Sequence, residues 1–264
     1  MKKYPAIKLY GKFLLMHLRS AMQYKMSFIL TVLGQFLGSF TAFLGISFMF
    51  MRFDSIEGYT YNETLLCFST ILMSFSLAEC FARGLDSFAQ IISNGEFDRM
   101  LVRPRGEIFQ VLVSRIELSR IGRLIQASLV LAYAIPTCGV EFTLSRALCL
   151  VLMILCGTVL FSGVFVVFAF LCFFTTDGLE FMNIFTDGMR EYGKYPLAVY
   201  GRDILTFYTY VIPFALVQYY PFLYLIGRVD SPMYLLLPPL SALFLIPALL
   251  LWRLGVRHYR STGS

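Results

Sequence analysis

Only one segment of this chain matches a nucleotide-binding pattern: Gly188-Met-Arg-Glu-Tyr-Gly-Lys194 satisfies Gly-x4-Gly-Lys. A phosphate-binding loop also needs a Ser or Thr directly after the lysine to hold magnesium, and a buried strand before it. Here Tyr195 and Pro196 follow, and the upstream stretch is polar. The pattern is not read as a nucleotide site, and no catalytic residue is expected in this chain. Buried acids would suggest ion or proton transport. The only candidates, Glu63 and Glu79, stand at the two ends of an apolar block and are expected at interfaces. The six cysteines (67, 80, 138, 149, 156 and 172) include no Cys-x-x-Cys pair and read as small hydrophobes. His17 and His258 lie in basic terminal segments without a partner pattern, so no metal site is expected.

The elements that carry these residues are membrane helices. Of the 264 residues, 58% are hydrophobic and 14% charged. The apolar residues fall in six blocks free of Asp, Glu, Lys and Arg: 26–51, 64–78, 124–140, 147–176, 204–227 and 231–252. About 20 apolar residues cross a bilayer as a helix. Blocks 64–78 and 124–140 are short and must extend into a flanking charged residue or cross at a thin or sheltered place. Continuous apolarity excludes a barrel, whose strands alternate in and out. So few polar residues cannot clothe a soluble core. The expected fold is an all-α membrane protein with six transmembrane helices, near 27–51, 62–82, 118–138, 147–174, 204–221 and 232–253. The first block is too long for a signal peptide's apolar core.

Lys and Arg mark the cytoplasmic side of short loops. With six spans and both termini inside, 19 of the 22 fall inside, leaving Arg52, Arg146 and Arg228 outside. This accounting places 177–203 in a cytoplasmic loop. The net charge of +6 needs no nucleic acid, because basic loops face anionic lipid. Residues 1–26 read as an amphipathic interfacial helix, with Ile7, Tyr10, Leu14, Leu18 and Ala21 at helical spacing. The alternative is a disordered basic tail. Residues 254–264 form a cytoplasmic basic tail.

Three local features could serve function. Gly34, Gly38 and Ala42 allow close helix packing, within the chain ahead of a partner contact. In the loop after span two, Leu85, Phe88 and Ile92 form an apolar stripe stopped by Ser93-Asn94-Gly95. A short amphipathic turn with Glu96, Phe97, Asp98 and Arg99 follows and closes at Pro104. Two amphipathic pieces suggest a docking surface; the alternative is an ordinary interfacial loop. The fifth block carries Pro213, Phe214, Tyr219, Tyr220 and Pro221. It reads either as a span with an outer re-entrant gate or as one kinked helix.

The run Gly95-Glu96-Phe97-Asp98-Arg99-Met100-Leu101-Val102-Arg103-Pro104 resembles a motif of the ABC-2 type permeases. So does Tyr195-Pro196-Leu197-Ala198-Val199-Tyr200 with the later Val211-Ile212-Pro213-Phe214-Ala215 and Tyr219-Tyr220-Pro221. The sequence is similar to the separately encoded membrane subunits of bacterial ATP-driven exporters. It departs where Gly201 replaces an expected proline and Arg105-Gly106 replaces a more neutral linker. The resemblance implies a dimer of six-helix subunits with an N-terminal interfacial helix, a coupling helix between spans two and three, and outer re-entrant elements. It also implies two copies of an ABC ATPase subunit, which hold ATP and magnesium and dock on 85–104. The second permease would be identical or related, and the complex would sit in the bacterial cytoplasmic membrane. A non-transporting scaffold or assembly protein is the rival reading. An ion-driven carrier would want buried charges and an inverted repeat, and no repeat is evident. Abundant Phe and Met suit an apolar or amphipathic cargo.

Overall fold

The computed structural model of the chain describes residues 5–175 and 180–260. Residues 1–4 of the expected N-terminal helix and 261–264 of the expected tail lie outside them. Among the described residues the regular structure is helical, apart from one isolated bridge between Ile56 and Tyr59. Five stretches are long and apolar enough to cross a membrane: Ala6–Arg52, Tyr61–Ser93, Leu118–Thr137, Leu144–Leu171 and Pro232–His258.

The first stretch bends. Helix α1 (Ala6–Ala21) meets α2 (Lys25–Arg52) at a tight turn over Met22–Tyr24, where Tyr24 leaves helical angles at φ −113°, ψ 64°. Residues 6–21 are thus a helix, not a tail. No residue of α1 is buried. The Tyr10 hydroxyl donates to the Phe81 carbonyl at 3.0 Å, and His17 Nε2 lies 3.0 Å from the Val113 carbonyl. Exposed Ile7, Leu15 and Met16 leave an apolar surface free for a membrane interface.

Helix α3 (Tyr61–Asp86) is the axis of the bundle, with 18 of its 26 residues buried. The Thr60 and Glu63 side chains cap its start reciprocally. Helix α3 then runs past Glu79 and Arg83, so the short second block does extend into charged residues. Short helices α4 (Phe88–Ser93), α5 (Glu96–Leu101) and α6 (Glu107–Ser114) follow at the Asp86 end. Helices α7 (Ile121–Thr137) and α8 (Leu144–Leu171) flank α3. Close contact between α2 and α7 depends on Gly122, where a Cβ would lie 2.1 Å from the Val32 carbonyl oxygen. A Cβ at Gly34 or Gly38 would meet nothing within 4 Å, although Ala42 does touch the core. The packing expected of Gly34 and Gly38 is therefore not made within the chain, and their face of α2 stands open.

The structure redraws the region between α8 and the last helices. Residues 177–203 were expected as a loop and 204–221 as a span. Instead, α9 (Glu180–Tyr192) lies beside α3: the Arg190 guanidinium sits 5.3 Å from the Phe75 ring, and Gly193 packs on Ile71. The chain then turns through Leu197–Tyr200 into α10 (Arg202–Tyr210), which runs back past Tyr192. It turns again at Pro213 and climbs α8 as α11 (Ala215–Gln218) and α12 (Tyr220–Leu225). Phe214 stacks on Phe161, Pro221 accepts from Cys149, and Tyr224 bonds Ser145. The 204–227 block is neither a single span nor a single kinked helix. At about 1.5 Å per residue, α10 reaches only about 14 Å. The misreading has a physical cause. Charges of α9 and the residues just after it are paired, Arg190 with Asp187 and Glu191, and Glu191 with Lys194, so a charged segment can line the cleft beside α3.

Helices α13 (Leu237–Ala242) and α14 (Leu245–His258) return along α8. Helix α14 ends with Tyr259 against Phe97, so the described terminal helices both reach the Asp86 end. At the Tyr61 end, Arg228 covers the Tyr59 ring at 4.1 Å and meets Glu63 at 3.1 Å.

Candidate functional site

The expected docking loop is an elbow. Helix α4 stops before Gly95, whose left-handed φ of 66° redirects the chain into α5. Phe88 and Phe97 meet edge-on at 5.2 Å, and both are 0% exposed. Phe173, Trp252 and Tyr259 close the aromatic cluster around them. Gln110 Nε2 donates to the Met100 and Arg105 carbonyls, each at 2.8 Å, which fixes the exit from α5.

This burial changes the roles expected of the loop residues. Leu85, Phe88, Ile92 and Phe97 are anchors inside the chain's own core, out of reach of a partner. Glu96 and Asp98 are half-buried, and Asp98 lies beside the Tyr259 hydroxyl. Burial, then that carboxylate, push the phenol up to about 12. Arg99 and Pro104 are exposed as expected. The residues expected to dock did not include their neighbours Leu101 and Val102, which are 44% and 84% exposed. Their signal was present in the spacing: Phe97 and Met100 share the buried side of α5, so the two following apolar residues point elsewhere.

A second feature was not foreseen. Glu79, expected at an interface, is 4% exposed and ringed by arginines. Its Oε1 lies 3.4 Å from Arg83 and 3.2 Å from Arg120, and its Oε2 lies 2.5 Å from Arg123. Arg83 also pairs with Asp86, and Arg120 donates to Gln35 Oε1 at 2.6 Å. These groups, with Thr186, Asp187 and Arg190, wall a polar pocket of about 280 Å³. Carboxylates at this depth persist because they are paired.

Beside the pocket opens a cleft of about 760 Å³. Gly38, Ala42, Gly45 and Ile46 of α2 line one wall, Phe68 and Leu72 of α3 another. Arg123, Arg190, Glu191, Lys194 and Tyr195 supply its polar rim. The residues of the Gly-x4-Gly-Lys pattern lie on α9 and at its end, not on a loop after a strand. In the re-entrant segment Phe214 and Pro221 are buried, while Tyr219 and Tyr220 stack at 5.2 Å. Among the described residues no group of three His, Cys, Asp or Glu could hold a metal ion.

A helical bundle with five helices long and apolar enough to cross a membrane defines a multi-pass membrane protein. The sequence profile of the ABC-2 family transporter proteins matches residues 36–263, and the chain belongs to that family. It is therefore a membrane permease of ABC transporters. No curated protein and no solved structure matches the chain.

Proposed function

We propose that this chain is the membrane subunit of an ABC exporter, working as a dimer and driven by a separate ATPase subunit. The observation that carries this reading is the elbow: an exposed edge, Arg99 with 101–104, mounted on a buried aromatic anchor. An edge held this way transmits a push to α3, α8 and α14 without yielding. Two ATPase subunits, holding ATP and magnesium, dock one on each elbow. A ligand or partner shifts a conformational equilibrium only through contacts that differ between its states. Leu101, Val102 and Arg99 offer those contacts. Both termini and the elbow face the cytoplasm of a bacterial cell, in keeping with the basic residues gathered there. Helices α9 to α12 then make the fifth of six crossings, and the hairpin around Pro213 gates its outer half. The second permease, identical or related, covers the open Gly34 and Gly38 face of α2 and closes the cleft into a path.

The test is co-purification with the ATPase and measurement of coupled ATP hydrolysis. Leu101→Ser with Val102→Asp should abolish both while the permease keeps its melting temperature. Assembly and coupling that survive the double change would sink the docking claim.

A further inference from the structure

The polar pocket holds more hydrogen-bond donors than acceptors. Arg83, Arg120, Arg123 and Arg190 face Glu79, Asp86 and Asp187 across it, four cations against three anions. Each guanidinium offers five N–H donors. The acids are already engaged: both Glu79 oxygens by three arginines, Asp86 by Arg83, Asp187 by Arg190, and at the mouth of the cleft Glu191 by Arg190 and Lys194. Arg120 Nε is buried without a hydrogen-bond partner. A surplus positive charge in a low-dielectric interior attracts a compensating anion, and arginine forks match carboxylate, phosphate and sulfate oxygens.

The pocket is also continuous with the cleft. Arg123 and Arg190 line both. Stacking on Phe75 fixes the Arg190 guanidinium where the two meet. From that junction the cleft runs over Gly38, Ala42, Ile46, Phe68 and Leu72, a wall with little polar character. An apolar wall from α2 and α3 faces a rim that carries the charges of Arg123, Arg190, Glu191 and Lys194, and a charged side opposite an apolar one matches an amphiphile.

Resting on the permease reading above, we infer that the cargo is an amphiphile with an anionic, oxygen-rich headgroup, bound by Arg123 and Arg190 with its chain along the cleft. With Lys194 and Glu191 of the cleft included, five cations face four carboxylates, so the headgroup supplies only the last negative charge. Release is then a matter of separating α9 from α3 and α7, which splits the two arginines that hold the headgroup.

The test uses the full-length chain in phosphatidylcholine nanodiscs and equilibrium binding of radiolabelled lysophosphatidylglycerol. Lysophosphatidylcholine of the same chain length tests the charge, and glycerol phosphate tests the headgroup without a tail. Both lysolipids offer the phosphodiester, but the choline form also brings a fixed cation toward the arginines, and this like-charge repulsion should make the anionic lysolipid bind at least about tenfold tighter. Glycerol phosphate should bind at least about a hundredfold more weakly, since each buried methylene adds about fourfold. Arg190→Gln should erase the preference for the anionic headgroup, and Arg190→Lys should keep part of it. Equal binding of the two lysolipids, tight binding of glycerol phosphate alone, or an unchanged preference in Arg190→Gln would overturn the inference. The headgroup comparison on the unaltered chain stands whether or not the variants fold. Coupled ATP hydrolysis that persists without a headgroup preference would refute this inference alone. A headgroup preference without ATPase coupling would refute the permease reading instead.

Discussion

Phe97→Ala should unfasten the elbow from within. Phe97 is 0% exposed, with ring centroids at 5.0 Å from Tyr259, 5.2 Å from Phe88, 5.5 Å from Phe173 and 6.2 Å from Trp252. Truncating a buried phenylalanine costs about 3–5 kcal/mol. Each aromatic pair adds about 0.5–1.5 kcal/mol beyond area burial, and four pairs place this site at the upper end, about 5 kcal/mol. Trp252 is the chain's only tryptophan and is 2% exposed, so its emission reports the cluster directly. In detergent, Phe97→Ala should lower the melting temperature and shift Trp252 emission to the red. Val102→Ala, on the exposed edge, should stay within about 0.5 kcal/mol and leave the emission unmoved. If Phe97→Ala melts like the unaltered chain with the same emission, the anchor argument is wrong, and Phe97 is a surface contact after all.

The other perturbations act at single points of the fold. Glu79→Ala leaves Arg120 and Arg123 facing each other unpaired and should cost about 3–5 kcal/mol, read as loss of thermal stability. Gly122→Ala drives a methyl group against the Val32 carbonyl oxygen and should cost about 1–3 kcal/mol, whereas Gly38→Ala in the monomer should cost far less; equal effects would contradict the packing described. Gly201 sits at φ 95°, which proline cannot adopt, so Gly201→Pro should disorder the re-entrant hairpin and raise protease cleavage near 200. Tyr259, ordinarily near 10, is raised to about 12 by burial and Asp98, so the folded state keeps a proton that the unfolded chain releases. That stability is full below about pH 10 and drains as the pH climbs toward 12; alkaline melting of Tyr259→Phe should lack this fall.

Much of the bundle was legible because lipid demands apolar length, and 26–51, 147–176 and 231–252 announce themselves by it. The α9 region was not, for the opposite reason. Its charges are satisfied in pairs and face a cleft, so composition resembles a loop. The 204–227 block was misread because a hairpin whose second arm, 214–226, packs on α8 is as apolar as a span. The elbow's place and its Gly95 stop were visible in the chain, but which of its apolar residues point inward was not. That depends on Phe173, Trp252 and Tyr259, which lie more than 70 residues downstream of Phe97. The ring around Glu79 was hidden for the same reason: Arg120 and Arg123 reach it from another helix. The absent proline at 201 turns out to be a backbone requirement, met by glycine's positive φ.

The most direct test places a photo-crosslinking amino acid at position 102 of the full-length chain in membranes of the source cell, with position 233 as the control at the opposite end. Both positions are exposed, at 84% and 70%. Irradiation should join position 102 to an ATPase subunit carrying a phosphate-binding loop, identified by mass spectrometry, and leave position 233 unjoined to it. No ATPase adduct at 102, or an equal yield at 233, would contradict the claim that this permease takes its drive through the elbow.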